Sequence, residues 1–251
     1  MYTNRGVMHD GSGDSLGRGE KGGGQMEKIE FDRKSWNKQQ TELRRILSSF
    51  DRYDEAIQLF LRQHAMLHSA RMSQETICSY EDQILDDMTE ERIRRIPQNC
   101  EHSVAWLIWH LARIEDVAMN ILVADSPQIL HRDGWFERLE IAARDTGNAM
   151  AAEGVATLSA AIDIEALRAY RVAVGRRTRE IVTQLEPEEL KQKVDPARLQ
   201  QVLDEGAVVE AASGLIAYWS KRNIAGLLLM PPTRHCFIHL NEAARVNQRR
   251  K

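Results

Sequence analysis

The chain predicts an all-α protein. Its apolar residues recur at helical spacing in one segment after another, and no alternating β-branched run is bounded by hairpin turns. The six prolines, at 97, 127, 187, 196, 231 and 232, fall between the periodic segments rather than inside them, which is where helices end.

The elements follow in order. Residues 1–25 hold more than half of the glycines, little that is apolar, and Gly22-Gly23-Gly24-Gln25 directly ahead of Met26. Such a stretch buries too little surface to offset its ordering entropy. It is expected to be a disordered Gly-rich leader, with Met26 the favoured start, and His9 carries no functional weight. Residues 26–72 read as an N-terminal helical extension with amphipathic helices over 33–49 and 52–70. In the remaining 73–251, Ser73 is expected to cap a helix over 74–88, with Ile77, Tyr80, Ile84 and Met88 on one side. Ser103 opens a helix to Val123. Its stripe Trp106, His110, Ile114, Val117, Ile121 turns His110 towards the core. The long connection 125–163 contains Trp135, Phe136 and Leu139 and is expected to hold short helices. Asp163 caps a helix over 163–185, with Ile164, Leu167, Tyr170, Val174, Thr178 and Ile181 on one face. The stretch 208–229 is apolar and reads as helical. Pro231-Pro232-Thr233 then starts a last helix to residue 248, with Thr233 as N-cap and Pro232 held outside.

Composition narrows the function. With 34 basic against 37 acidic residues the formal charge is −3, so no whole-chain field attracts nucleic acid or an anionic membrane. The cluster Arg92, Arg94, Arg95 and the tail Arg249-Arg250-Lys251 are too short to change this. No apolar run approaches the ~20 residues of a membrane span. Cys78, Cys100 and Cys236 are odd in number and form no CxxC, which argues against a disulfide framework and for a cytoplasmic setting. A homodimer is compatible with the sequence without being required by it.

The chemistry concentrates in histidines. His235 and His239 lie four apart in Thr233-Arg-His-Cys-Phe-Ile-His-Leu-Asn-Glu-Ala243, a spacing that lets two imidazoles on one helix reach a single cation. His110, in Trp106-Leu-Ile-Trp-His-Leu-Ala-Arg-Ile-Glu115, could add a third from another helix. At about 100° per residue, Glu242 falls roughly 20° from His235 and 60° from His239, which brings its carboxylate near the pair, in a pocket expected to be walled by Trp106, Ile114 and Ile238. Cys236 points away and reads as a small buried hydrophobe. A second pair, His64 and His68, has the same spacing and reads as an ordinary helix pair, or as a cover over the site.

The block Asn99-Cys-Glu-His-Ser-Val-Ala-Trp-Leu-Ile-Trp-His-Leu-Ala-Arg-Ile-Glu-Asp116, followed far downstream by Arg234-His-Cys-Phe-Ile-His-Leu-Asn-Glu-Ala243, resembles the DinB/YfiT superfamily. The resemblance implies a four-helix bundle of up-down-down-up course over 73–251, with helices at 74–88, 103–123, 163–185 and 233–248. It implies a divalent metal, zinc or nickel, held by His110, His235 and His239. Many relatives continue the last histidine as His-Arg-Gly-Gln, whereas this chain has His239-Leu-Asn-Glu242. The carboxylate thus stands where an amide is usual, a candidate catalytic base or supporting group.

Three imidazoles leave an open position on such a cation, which lowers the pKa of a bound thiol or water. The resemblance implies a metal-dependent enzyme that activates a low-molecular-weight thiol, mycothiol or bacillithiol in kind, for S-transfer or detoxification. Two other readings stand beside it: a hydrolase using metal-bound water with Glu242 as base, and a non-catalytic, stress-linked bundle acting through partner binding.

Overall fold

A computed structural model describes residues 30–73 and 78–248. Among these the protein is all-α, with no strand and one isolated antiparallel bridge, Lys193 to Asn223. The leader 1–25, Met26, Ile77 and the tail 249–251 lie outside the described residues.

Side-chain caps fix most helix starts, because each accepts a bond from an N–H that the first turn leaves unpaired. Asp32 caps α1 (Arg33–Ile46), which buries Trp36, Gln40, Leu43 and Ile46 at helical spacing. α2 (Tyr53–Leu67) follows, and it packs against α8 and α12, defined below, as well as α1. The helix expected over 74–88 is shorter. Ser79, not Ser73, accepts from Asp82 N, and α3 covers only Tyr80–Leu85. Thr89 then caps a further short helix, α4 (Glu90–Arg94). The basic cluster here is drawn into the fold: Arg92 donates to Asn247, and Arg94 to Glu90 and to the Ser159 carbonyl.

Ser103 caps α5 (Val104–Asp116), which continues as a π-helix over Val117–Val123. Every residue of α5 is buried, so it forms an axis with neighbours all round rather than a one-sided stripe. Its first half joins a core with Tyr170, Val174, Phe237 and Leu240, and its continuation joins another with Phe60, Ile181 and Leu227. Burial of each such large apolar side chain contributes roughly 1.5–3 kcal/mol. The connection beyond it carries the expected short helices, α6 (Trp135–Leu139) and α7 (Ala152–Ala161). Asp163 caps α8 (Ile164–Gln184), whose buried face includes Leu167, Tyr170, Val174, Thr178 and Ile181, and which packs closely on α5.

Three expectations are corrected in the last third. Asp195 caps α9 (Pro196–Asp204), so Pro196 opens a helix that periodicity alone did not reveal. The stretch 208–229 is not one helix but α10 (Ser213–Trp219) and α11 (Ile224–Leu228), divided where Asn223 caps Gly226 N. Thr233 is not an N-cap, and the prolines are not outside a helix. Met230–His235 forms a π-helix that runs directly into α12 (Cys236–Gln248). Two consecutive residues without N–H groups cannot sustain the i→i−4 ladder, and a wider turn accommodates them. With no free first-turn N–H to cap, the Thr233 hydroxyl donates to the Leu228 carbonyl and accepts from Gln40.

Candidate metal centre

A buried polar frame positions the site. Arg113 donates to Asp116 (3.1 Å), Tyr170 Oη (3.0 Å), Gln128 (2.6 Å) and the Arg144 carbonyl (2.8 Å). Asp116 also accepts from Tyr170 (2.6 Å) and from the N–H groups of Ile129 and Leu130. The frame fastens the 125–146 connection onto α5. Thr146 is then held by its N–H to the Ala207 carbonyl, and its own carbonyl accepts from His110 Nδ1 at 2.5 Å. Gly147 has φ +80°, and a Cβ there would lie 2.7 Å from the Trp109 ring, so this turn needs glycine for both conformation and space.

His110, His235 and His239 come together. One ligand atom from each lies within 4.8 Å of the others, and the ring centroids are 4.6–5.2 Å apart. His110 spends its Nδ1 proton on Thr146, so its lone pair is on Nε2, which faces His235 Nε2 at 3.2 Å. Two tetrahedral ligands on a zinc-like ion at about 2.0–2.1 Å stand about 3.3–3.4 Å apart, close to this separation. His239 donates from Nδ1 to Glu242 Oε2 at 2.9 Å, which leaves Nε2 as its lone-pair atom too. Two of the three rings are therefore held in the tautomer that ligation through Nε2 requires, and the donor set fits a divalent cation. The Nδ1 of His235 is buried without a hydrogen-bond partner. Burial pushes the pKa of His110 down to about 4 and that of His235 well below its usual value, so both rings are neutral at ordinary pH.

Glu242 lies where its angle on the helix predicts, but its surroundings differ from the expected pocket. Trp106 is near, whereas Ile114 belongs to the other core and Ile238 is exposed. The partner that sequence reasoning missed is His102, whose Nδ1 lies 3.2 Å from Glu242 Oε1. Hydrogen bonds from His102 and His239 hold the Glu242 pKa down at about 2. His102 stacks on Trp106 (3.9 Å, 12°), and Trp106 stacks on His110 (4.8 Å, 9°). The signal was present as the i, i+4, i+8 spacing of 102, 106 and 110. Trp106 Nε1 also touches Met150 Sδ at 3.3 Å, and Met150 lines a mostly apolar groove of about 570 Å³ with Ile141, Gly154 and Leu158.

His64 and His68 do not lie open over this centre. Both are fully buried, with Nε2 atoms 2.9 Å from Oε1 and Oε2 of Glu115 respectively. Burial pushes the His68 pKa down to about 3, and burial likewise lowers that of His64. Cys236 is buried, as expected, but in polar surroundings: it contacts Arg171, Glu115 and the Pro231 carbonyl, and burial pushes its thiol up to about 12.

No helix among the described residues is long and apolar enough to cross a membrane. No curated protein matches the chain. The family model of the DinB superfamily matches residues 81–225, a span that includes His110 and α4 through α10 and ends at the start of α11, before His235. With a bundle of helices around α5 and more than half of the chain under that match, the protein belongs to the DinB superfamily.

Proposed function

We propose that His110, His235 and His239 hold a divalent metal ion, zinc or nickel, and that the protein uses it to activate a low-molecular-weight thiol for transfer to an electrophile. The observation that carries this reading is the pair of fixed tautomers: Thr146 and Glu242 each take an Nδ1 proton and leave Nε2 for the cation. The bound cation would supply Lewis acidity, favouring the thiolate near neutral pH. His235 and His239 are only partly buried while His110 is buried, so a reactant would approach the three histidines from the α12 side. The groove beside Met150 suits an apolar electrophile.

Hydrolysis with Glu242 as base is the weaker reading. Both carboxylate oxygens are occupied by histidine donors, and a pKa near 2 makes a poor proton acceptor. Glu242 is better suited to orient His239. The test is metal content of untagged protein, paired with consumption of mycothiol or bacillithiol in the presence of 1-chloro-2,4-dinitrobenzene. Metal-dependent thiol loss that disappears in His110→Ala supports the proposal. A metal-loaded protein inert towards both thiols and a panel of electrophiles counts against it.

A further inference from the structure

His64 and His68 on α2 and Glu115 on α5 make a second cluster of ligand atoms, again within 4.8 Å of one another. Its histidines precede the span that the family model matches. The hydrogen-bond inventory of this cluster does not close by itself. His68 Nδ1 lies 3.0 Å from the His64 carbonyl, and its Nε2 lies 2.9 Å from Glu115 Oε2. Both neighbours are acceptors, and a neutral imidazole has one N–H to give. One ring nitrogen therefore presents a lone pair to a carboxylate or a carbonyl unless a cation stands between them.

The charges lead to the same place. Arg171 donates to Glu81 at 2.9 Å and to Glu115 at 3.2 Å, and all three are fully buried. One guanidinium thus serves two buried carboxylates, beside two rings whose charged form burial disfavours. A buried carboxylate that shares its counter-charge is costly. Thr178 also donates to Glu115 at 2.7 Å, on the oxygen that faces His64, and so fixes the carboxylate in place.

We infer that His64, His68 and Glu115 bind a second divalent transition-metal ion, which fastens α2 to α5. The His68 Nδ1–H bond to a backbone carbonyl is the support a metal-bound imidazole commonly has. Two ligand atoms at right angles on an ion about 2.1 Å away are about 3.0 Å apart, and the two N···O separations here are 2.9 Å. Two imidazole nitrogens and two carboxylate oxygens make four donors, and their full burial suits a structural ion rather than a catalytic one. The alternative occupant is a proton, making His68 an imidazolium paired with Glu115.

Metal stoichiometry separates the two. Untagged protein loaded with Zn²⁺ or Co²⁺ and desalted should carry about two equivalents. The double variant His110→Ala/His235→Ala should retain about one, without any change to α2. That residual ion should be lost on adding Glu115→Gln, with helicity by circular dichroism as the folding check. One equivalent in the parent that survives in the double variant supports the second site and counts against the first. A double variant that carries no metal while still folded overturns the inference and leaves the proton as occupant.

Discussion

Glu242 and His102, 140 residues apart, meet at 3.2 Å, and through that contact a residue just ahead of α5 is tied to His239 on α12. Glu242 accepts from His239 with its other oxygen, so the carboxylate orients that ring rather than standing free. Glu242→Gln should weaken metal binding by about 10–100-fold without abolishing it. Competition with a chromogenic chelator measures this; unchanged affinity would remove Glu242 from the site.

Gly147→Ala should destabilise the protein by roughly 2–4 kcal/mol, adding a left-handed backbone cost to overpacking against Trp109. It should also weaken metal binding, because the neighbouring Thr146 carbonyl sets the His110 tautomer. Urea unfolding of metal-free protein separates the stability effect from the binding effect.

Arg113→Leu should cost about 3 kcal/mol or more, since it leaves the buried Asp116 carboxylate without its guanidinium partner. The urea midpoint reports it, and a change under 1 kcal/mol would mean the frame is dispensable.

Stability of the metal-free protein should fall as pH falls from about 6.5 towards 4. Burial holds the pKa of His110 at about 4 and that of His235 well below its usual value in the fold, whereas unfolded histidines titrate near 6.5. Within that window the unfolded state binds more protons, so each such histidine weakens folding by up to about 1.4 kcal/mol per pH unit. The Glu242 contribution runs the same way but lower, disappearing only as pH drops from 4.5 towards 2. A urea midpoint flat between pH 6.5 and 4.5 would contradict the burial of these rings.

The fold class, α5, α8 and the convergence of His110, His235 and His239 were legible because each rests on helical spacing within one segment. The angle of Glu242 was legible for the same reason. What stayed hidden depends on partners from elsewhere in the chain. Glu115 looked like one more polar residue on a helix until α2 brought His64 and His68 against it. The His110 acceptor is a backbone carbonyl, which leaves no mark in a sequence. Pro231 and Pro232 looked like a stop, yet a wider helical turn absorbs them.

The anchoring of the 125–146 connection bears on how a reactant would arrive. A link of that length invites the idea of a lid, but Asp116 grips its start through Ile129 and Leu130, and Arg113 grips its end at Arg144. Movement of this segment would require breaking a buried ionic frame. The side of the three histidines least covered by the fold is therefore that of α12, where His235 and His239 are only partly buried.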